Sequence, residues 1–281
     1  MKLLLNQDLP LLDALAILAP DSSKTTLRSW LKDGRVCVDG IVEKVGNIVV
    51  HQNQTITVGA KPDPSIDGLR VLYEDSHLIV IVKPSGLLSV AANFEKSKTA
   101  HAILKNHFRP RKVYVIHRLD QDTSGVMLYA FSEKAYEKLK TIFADHDIVR
   151  EYIAIIEGHL PTPKGKWESY LYEDESYYVR TTSDPERGRL AITHYEVLDT
   201  NRSFSLVKFT LETGRKNQIR VQSKAAGHPI YGDQKYGTFG SPAKRLFLHA
   251  QGLAFKHPIT GKEMVFESPL PQEFKRHFKN V

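Results

Sequence analysis

The chain has 281 residues, 41% of them hydrophobic and 25% charged, the balance of a folded globular protein, which excludes collagen-like, low-complexity and disordered classes for the chain as a whole. A single cysteine, Cys37, excludes an intramolecular disulfide framework and a multi-cysteine zinc site. The net charge of +7 is concentrated, because residues 201–250 carry nine Lys or Arg against only Glu212 and Asp233; such an excess fits a polyanion partner such as nucleic acid, and fits a solvated basic face as well.

At about 150 residues per domain, the length suggests one large domain or two unequal ones. The N-terminal run MKLLL ends at Asn6, Gln7 and Asp8, too short for a signal-peptide core. No apolar run approaches the roughly 18 residues of a membrane span. A soluble cytoplasmic protein without a membrane partner is expected. The first sixty residues read as a small module. A helix over Leu11–Leu18 stops at Pro20, and cap-type Asp21, Ser22 and Ser23 open a second with Leu27, Trp30 and Leu31 at helical spacing. Lys24, Arg28 and Lys32 recur every four residues and share one exposed stripe of it. Gly34 ends that helix, Val36, Val38 and the Asp39-Gly40 pair read as a strand entering a tight turn, and a strand pair near Ile48–Val50 and Thr55–Val58 completes the module.

Gly59–Gly68 is rich in Pro, Gly and Asp and reads as a linker. Beyond it, strands are expected at Leu78–Val82, Val126–Ala130, Tyr152–Ile156, Ala191–Val197, Ser205–Thr210 and Leu246–His249. Helices are expected at Lys98–Phe108, Glu133–Phe143 and Asn217–Ala226. Strands outnumber helices and do not alternate with them regularly, which favours mixed α+β over a doubly wound parallel fold.

The densest polar constellation is HRLDQDTSG, His117–Gly125, between the apolar runs Tyr114–Ile116 and Val126–Ala130. Polar loops on rigid strands commonly form active sites; the same residue types also make a plain turn in which Asp122, Thr123 and Ser124 cap the backbone. His-Arg-x-Asp matches part of a kinase catalytic loop, yet no Gly-rich phosphate loop accompanies it. No G-x-S-x-G elbow is present, the closest string being KPSGLLS at Lys83–Ser89, and no H-E-x-x-H appears. An unassisted carboxylate acting as nucleophile or base, with no metal and no nucleotide, survives this elimination. A second constellation, LETGRKNQIRVQ (Leu211–Gln222), lies in the basic region, with Ile219 facing inward and Arg220 toward a neighbour. A third, REYIAIIEG (Arg150–Gly158), begins with Tyr152 leading an apolar strand.

Taken in order, KPSGLLSV, HRLDQDTSGVMLYA, REYIAIIEG, LETGRKNQIRVQ, GHPIYGDQKYG and the run Arg245–Pro271 resemble the RluA-type family of RNA pseudouridine synthases (RluA/RluC/RluD-like), over roughly residues 70 to 271. The N-terminal module is similar to S4-like RNA-binding domains. The resemblance implies a small α/β S4-like domain over 1–60, a linker over 61–70, and over 71–281 an α+β catalytic domain with a mixed, largely antiparallel sheet and flanking helices. It makes Asp120 the catalytic aspartate, Arg220 its partner, and Tyr152 the residue that stacks on the target base and assists proton removal. Arg118 would enter the RNA stack when the uridine flips out, and Ile219 would line the pocket. Arg215 and Lys216, together with Arg28 and Lys32, would contact RNA. Asn217 and Gln222 stand where many members carry histidine, and Gln121 where arginine is frequent.

Making pseudouridine breaks the N-glycosidic bond, turns the base and joins its carbon to the same sugar; nothing is added or removed, so no cofactor is implied. The carboxylate can attack the base or the ribose, or act as a base on the sugar. Ribosomal RNA, transfer RNA or both are the implied partners, and a monomer the expected state. Two other readings compete: a noncatalytic RNA-binding or ribosome-assembly protein keeping the fold, and a carboxylate hydrolase acting on a small substrate. The presence of Asp120, Arg220 and Tyr152 opposes the first, and the missing elbow and metal motif oppose the second.

Overall fold

A computed structural model of the chain describes residues 1–59, 64–92 and 95–278. The chain divides into two compact units, Met1–Pro64 and Ser65–Val281. Of the expected linker, residues 61–63 lie outside the described residues, whereas Ser65–Ile66 pairs with Leu69–Glu74 as a hairpin. Its turn is Asp67-Gly68, both left-handed at φ 45° and 85°. Asp-Gly is a strong signal for this turn, so composition that reads as a linker here begins the large sheet.

In the smaller unit, helices Leu11–Leu18 and Lys24–Lys32 bury Leu11, Leu15, Leu27, Trp30 and Leu31 against Val36, Val38 and Ile56. Ser23 caps the second helix, its Oγ accepting from the Thr26 amide at 3.1 Å, and Lys24, Arg28 and Lys32 face solvent. A four-stranded sheet runs Lys2–Leu4, Thr55–Val58, Val36–Val38, Ile41–Val42. The expected pairing of the two last strands is not made. Val49–Val50 pairs with Leu9–Pro10 instead, because Asp8 accepts from the Gln52 amide at 2.7 Å and meets the His51 ring at 3.0 Å, drawing that segment across.

The larger unit is α+β, built on one twelve-stranded sheet with flanking helices. Among the described residues, every strand pairing is antiparallel except one: Ser124–Ala130 runs parallel to Leu248–Lys256 at Ser124–His249 and Gly125–Ala250. Gly125 has φ 126°, and a Cβ there would lie 2.1 Å from the Ala250 carbonyl oxygen, so only glycine allows this approach. The strand Leu78–Lys83 is apolar without alternation because both of its faces are covered. Ile79 and Ile81 pack with Leu104 of helix Ala100–His107, and Leu78 and Val80 with Leu139 of helix Glu133–Ala144. Each such aliphatic side chain contributes about 1.5–3 kcal/mol on burial. Thr99 and Ser132 cap the two helices through their hydroxyls.

Several strands extend past their expected limits. Tyr152 leads nothing: its strand runs Ile148–Glu157, and the run expected at Leu246–His249 is the start of Leu248–Lys256. Lys164–Glu173, Val179–Thr182 and Glu263–Glu267 are strands with no expected counterpart.

Candidate active site

The polar loop 117–123 leads into an interior strand of the sheet and is fastened by the loop that follows Leu78–Lys83. The ammonium of Lys83, fully buried, donates to the carbonyls of Pro84, Leu87 and Gln121 at 2.9, 2.7 and 2.8 Å. Burial pulls Lys83 down to about 7 against the opposing charges of Asp122 and Asp120; with three carbonyls accepting, only the protonated form satisfies the site. Ser89 Oγ donates to Leu119 O at 2.6 Å, and Ser85 Oγ to Asp122 O at 2.7 Å. Gln121 Nε2 donates to Gly86 O at 3.1 Å, while the Gly86 amide donates back to Gln121 O at 3.0 Å. The serines of KPSGLLS therefore hold a loop rather than attack a substrate. His117, its ring stacked on Phe143, accepts from the Leu128 amide at 3.1 Å. Burial, aided by Arg150, pushes it down to about 3, so it is a neutral pin and not an acid–base group.

Asp120 is thereby presented to Arg220, one hundred residues later. Arg220 Nη1 donates to Asp120 Oδ2 at 3.1 Å. The rest of its guanidinium is spent on Asp233, with Nε to Oδ2 at 2.7 Å and Nη2 to Oδ1 at 2.8 Å. The Asp233 side chain is 0% exposed, that of Arg220 9% and that of Asp120 24%. Burial disfavours the Arg220 charge, yet the bonds and charge of Asp233, with Asp120 behind them, hold it protonated well above its ordinary range. Asp233 Oδ1 also accepts the amides of Lys235 and Tyr236, each at 2.9 Å. The Arg220 guanidinium lies 5.1 Å from the centre of the Tyr236 ring. A rigid cation thus points one N–H at a carboxylate that still reaches solvent.

Asn217 completes the cradle. In the amide orientation that satisfies its neighbours, its nitrogen donates to both Asp120 oxygens at 2.9 and 2.8 Å, and its oxygen accepts from the Tyr236 hydroxyl at 3.0 Å. Asn217 has φ 54°, immediately before the helix Gln218–Ala225, a conformation asparagine tolerates better than most residues. Gln218 fixes that helix start, accepting from Thr213 Oγ1 at 2.8 Å and the Arg215 amide at 2.9 Å while donating to Ile192 O at 3.0 Å. Gln222, on the same helix, is buried against two paired strands, accepting from Thr193 Oγ1 at 2.7 Å and donating to Ala191 O and Ser169 Oγ, each at 3.0 Å. It ties the helix to the sheet.

Arg118, Asp120, Tyr152, Arg215, Ile219 and Arg220 line one pocket. Tyr152 sits where the strand shifts register between Glu151 and Tyr152 against Leu248–Lys256; such a bulge re-aims a side chain. Burial pushes the Tyr152 phenol up to about 12, with Asp120 adding to the effect and Arg150 opposing it. The phenol is therefore neutral at physiological pH and must lose its own proton before it can accept another. Thr123 also lines the pocket, its buried hydroxyl without a partner, so the loop does not use it to cap its own turn. Arg118 is exposed at the rim. Lys216 is not in the pocket; it faces the adjoining groove and pairs with Glu173. Arg28 and Lys32 belong to the smaller unit, on its exposed helical stripe.

Asp233, Tyr236 and Asn217 carry the geometry of the site without having been assigned to it from sequence. Asp233 had one legible signal, as one of only two acids within the basic stretch 201–250. Among the described residues, no group of three or more His, Cys, Asp or Glu is placed to hold a metal ion, and no helix is long and apolar enough to cross a membrane.

A family profile described as RNA pseudouridylate synthase matches residues 77–225, which include the polar loop, the Tyr152 strand and the Arg220 helix. An uncharacterized RNA pseudouridine synthase of Bacillus subtilis is 32% identical over 93% of this chain and 90% of its own length. The ribosomal large subunit pseudouridine synthase D of Pseudomonas aeruginosa is 33% identical over 92% of this chain and 88% of its own. The structure of the human RNA pseudouridylate synthase domain containing 4 protein shares the fold, with a TM-score of 0.61 at 23% identity over 74% of this chain and 91% of that one. Identity on this scale, spanning nearly the whole chain, places the protein in the RNA pseudouridylate synthase family, among its RluA-type members, as an isomerase of uridines in RNA.

Proposed function

We propose that this enzyme isomerises specific uridines of structured RNA, ribosomal RNA foremost and transfer RNA second, with Asp120 as the catalytic carboxylate. The observation that carries the reading is a solvent-reaching carboxylate held from behind by Arg220 and Asn217 and opening on a pocket walled by Tyr152 and Ile219. Full-length relatives named for the ribosomal large subunit support the choice of RNA. The target base leaves its stack, at a cost of a few kcal/mol, and its ring lies against Tyr152. Arg118, exposed at the rim, fills the gap in the RNA. The carboxylate then assists cleavage of the bond between ribose and base nitrogen, the base turns within the pocket, its carbon joins the ribose, and the proton displaced from that carbon is lost while the freed ring nitrogen takes one up. Because atoms balance within one nucleotide, no cofactor takes part. Tyr152, a neutral phenol, serves chiefly as a stacking face in this reading.

The smaller unit acts as an S4-like RNA-binding domain through the stripe that holds Arg28 and Lys32, and Arg215 and Lys216 meet phosphates near the pocket. In this reading the enzyme works as a monomer in the cytoplasm.

Asn217 supplies a test of how the carboxylate is held. Losing hydrogen bonds to a charged group costs about 1.5–3 kcal/mol, so Asn217→Ala is expected to lower kcat by roughly 10- to 100-fold with KM little changed. Asn217→Asp is nearly isosteric but brings a like charge against Asp120, and is expected to be worse than Asn217→Ala. Steady-state kinetics on both variants check this; an Asp variant more active than the Ala variant would mean that Asn217 acts by shape alone.

The RNA class is read by carbodiimide mapping of pseudouridine in total ribosomal and transfer RNA. Cells lacking the protein are compared with cells carrying wild type or Asp120→Ala. The expected result is a ribosomal site that vanishes in the deletion and returns only with wild type. A map unchanged in both RNA classes would refute this substrate and favour a noncatalytic, ribosome-assembly role.

A further inference from the structure

Beside the Asp120 pocket lies a second concavity that shares one wall with it. Arg215 lines both. The remaining walls include Arg187, Arg189, Tyr172, Glu173 and Lys216, around a groove of about 540 Å³, within the range of clefts that hold sizeable organic ligands. Four cations face a single carboxylate, and that carboxylate, Glu173, is already paired with Lys216.

The arginines are prepared for an anion that the protein does not itself supply. Arg187 and Arg189 are exposed, and neither makes an ion pair with another described residue. The Arg187 guanidinium lies 4.0 Å from the centre of the Tyr172 ring, an arrangement that steadies the plane while leaving its N–H edge open. Arg215 donates through Nε to Leu190 O at 2.9 Å, which leaves its terminal nitrogens for a ligand. Gly188 stands between the two arginines, and a Cβ there would meet Tyr170 Cβ at 2.8 Å and Thr182 Cγ2 at 2.9 Å. Glycine therefore lets this segment press onto the hairpin formed by Lys164–Glu173 and Val179–Thr182, with Arg187 and Arg189 both reaching the same groove.

We propose that this groove carries the RNA strand flanking the target uridine, with Arg187 and Arg189 each gripping a backbone phosphate. The inference rests on the reading that the Asp120 pocket receives a nucleotide still joined to its chain. A phosphodiester attached to that nucleotide must run out past the pocket wall, and Arg215 is the wall with fixed cations beyond it. Such contacts position a strand without reading its sequence.

The test uses the full-length enzyme and, as substrate, ribosomal RNA purified from cells lacking the protein. Arg187→Gln/Arg189→Gln is compared with wild type and with Arg187→Lys/Arg189→Lys, following pseudouridine formation against RNA concentration at several salt concentrations. The Gln pair is expected to raise KM on the order of tenfold with kcat within about twofold. Its dependence of log affinity on log salt should be shallower by about 1.4, the value for two single-strand phosphates. The Lys pair should stay near wild type. A Gln pair with unchanged KM and salt slope, as expected if the groove instead took an acidic protein, would overturn the proposal, as would a fall in kcat alone. Failure of the wild type itself to modify this RNA would overturn the ribosomal choice of substrate instead, a separately visible outcome.

Discussion

Arg220→Ala is expected to remove activity and a large part of the stability of the catalytic unit together. Among the described residues, the guanidinium is the one positively charged partner of the Asp233 side chain, and that side chain is fully buried. Removing one member of a buried pair strands the other, at about 3–5 kcal/mol. For a unit of this size the midpoint of thermal unfolding should fall on the order of 10 °C. Turnover should fall at least 100-fold, because Asp120 loses its charged donor and keeps only the neutral Asn217 amide. The two effects separate in the double variant Arg220→Ala/Asp233→Asn. A neutral amide leaves no stranded charge, and its one oxygen can still accept the Lys235 and Tyr236 amides that Oδ1 holds now. Most of the lost stability should return while activity does not. Calorimetry and a turnover assay on both variants check this. Recovery of activity along with stability would show that Arg220 matters only as a structural counter-ion of Asp233.

Arg220→Lys refines the same point. Lysine keeps the charge but not the planar fork that serves Asp233 with two nitrogens and Asp120 with a third, so it is expected to rescue stability more than turnover.

Much of the site was legible because its chemistry is concentrated. The string His117–Gly125 sets five charged or hydroxyl side chains between apolar runs, and such crowding on a strand-flanked loop has few uses. The helices were legible too, because the apolar spacing along them is regular; the capping hydroxyl of Thr99 sets the start of one of them two residues past the expected Lys98. Pairing was not, because strand order is a non-local property. Nothing within Val49–Val50 distinguishes Leu9–Pro10 as its partner from Thr55–Val58; the distinction lies in the Asp8 side chain. The strand Lys164–Glu173 escaped because its inward face mixes Gly165 and Ser169 with Trp167 and Leu171, so the alternation is real in burial but blurred in residue type. Asn217 escaped for a different reason. Its role depends on a left-handed backbone that delivers a side-chain amide to a carboxylate from another element, and a lone asparagine in a basic string carries no sign of that. The strongest legible clue left unused was Asp233, an acid in a basic region that the fold buries against Arg220.

Asp120 is the residue whose charge turnover is expected to need most. Asp120→Asn preserves volume and leaves Arg220 bonded to Asp233 through two nitrogens, so the fold and the basic surface around the pocket should survive. Only the charge that meets the substrate is removed. A loss of about 10⁴-fold, corresponding to ~5.4 kcal/mol of transition-state stabilisation at ~1.36 kcal/mol per decade, is the expected size for a group that takes part in bond cleavage rather than binding. The direct measurement is pseudouridine formation by purified wild type and Asp120→Asn on RNA from cells lacking the protein, with RNA affinity measured on the same samples. Product is expected from wild type only, with the two affinities within about threefold of each other. Turnover by Asp120→Asn within tenfold of wild type would contradict the catalytic role of Asp120.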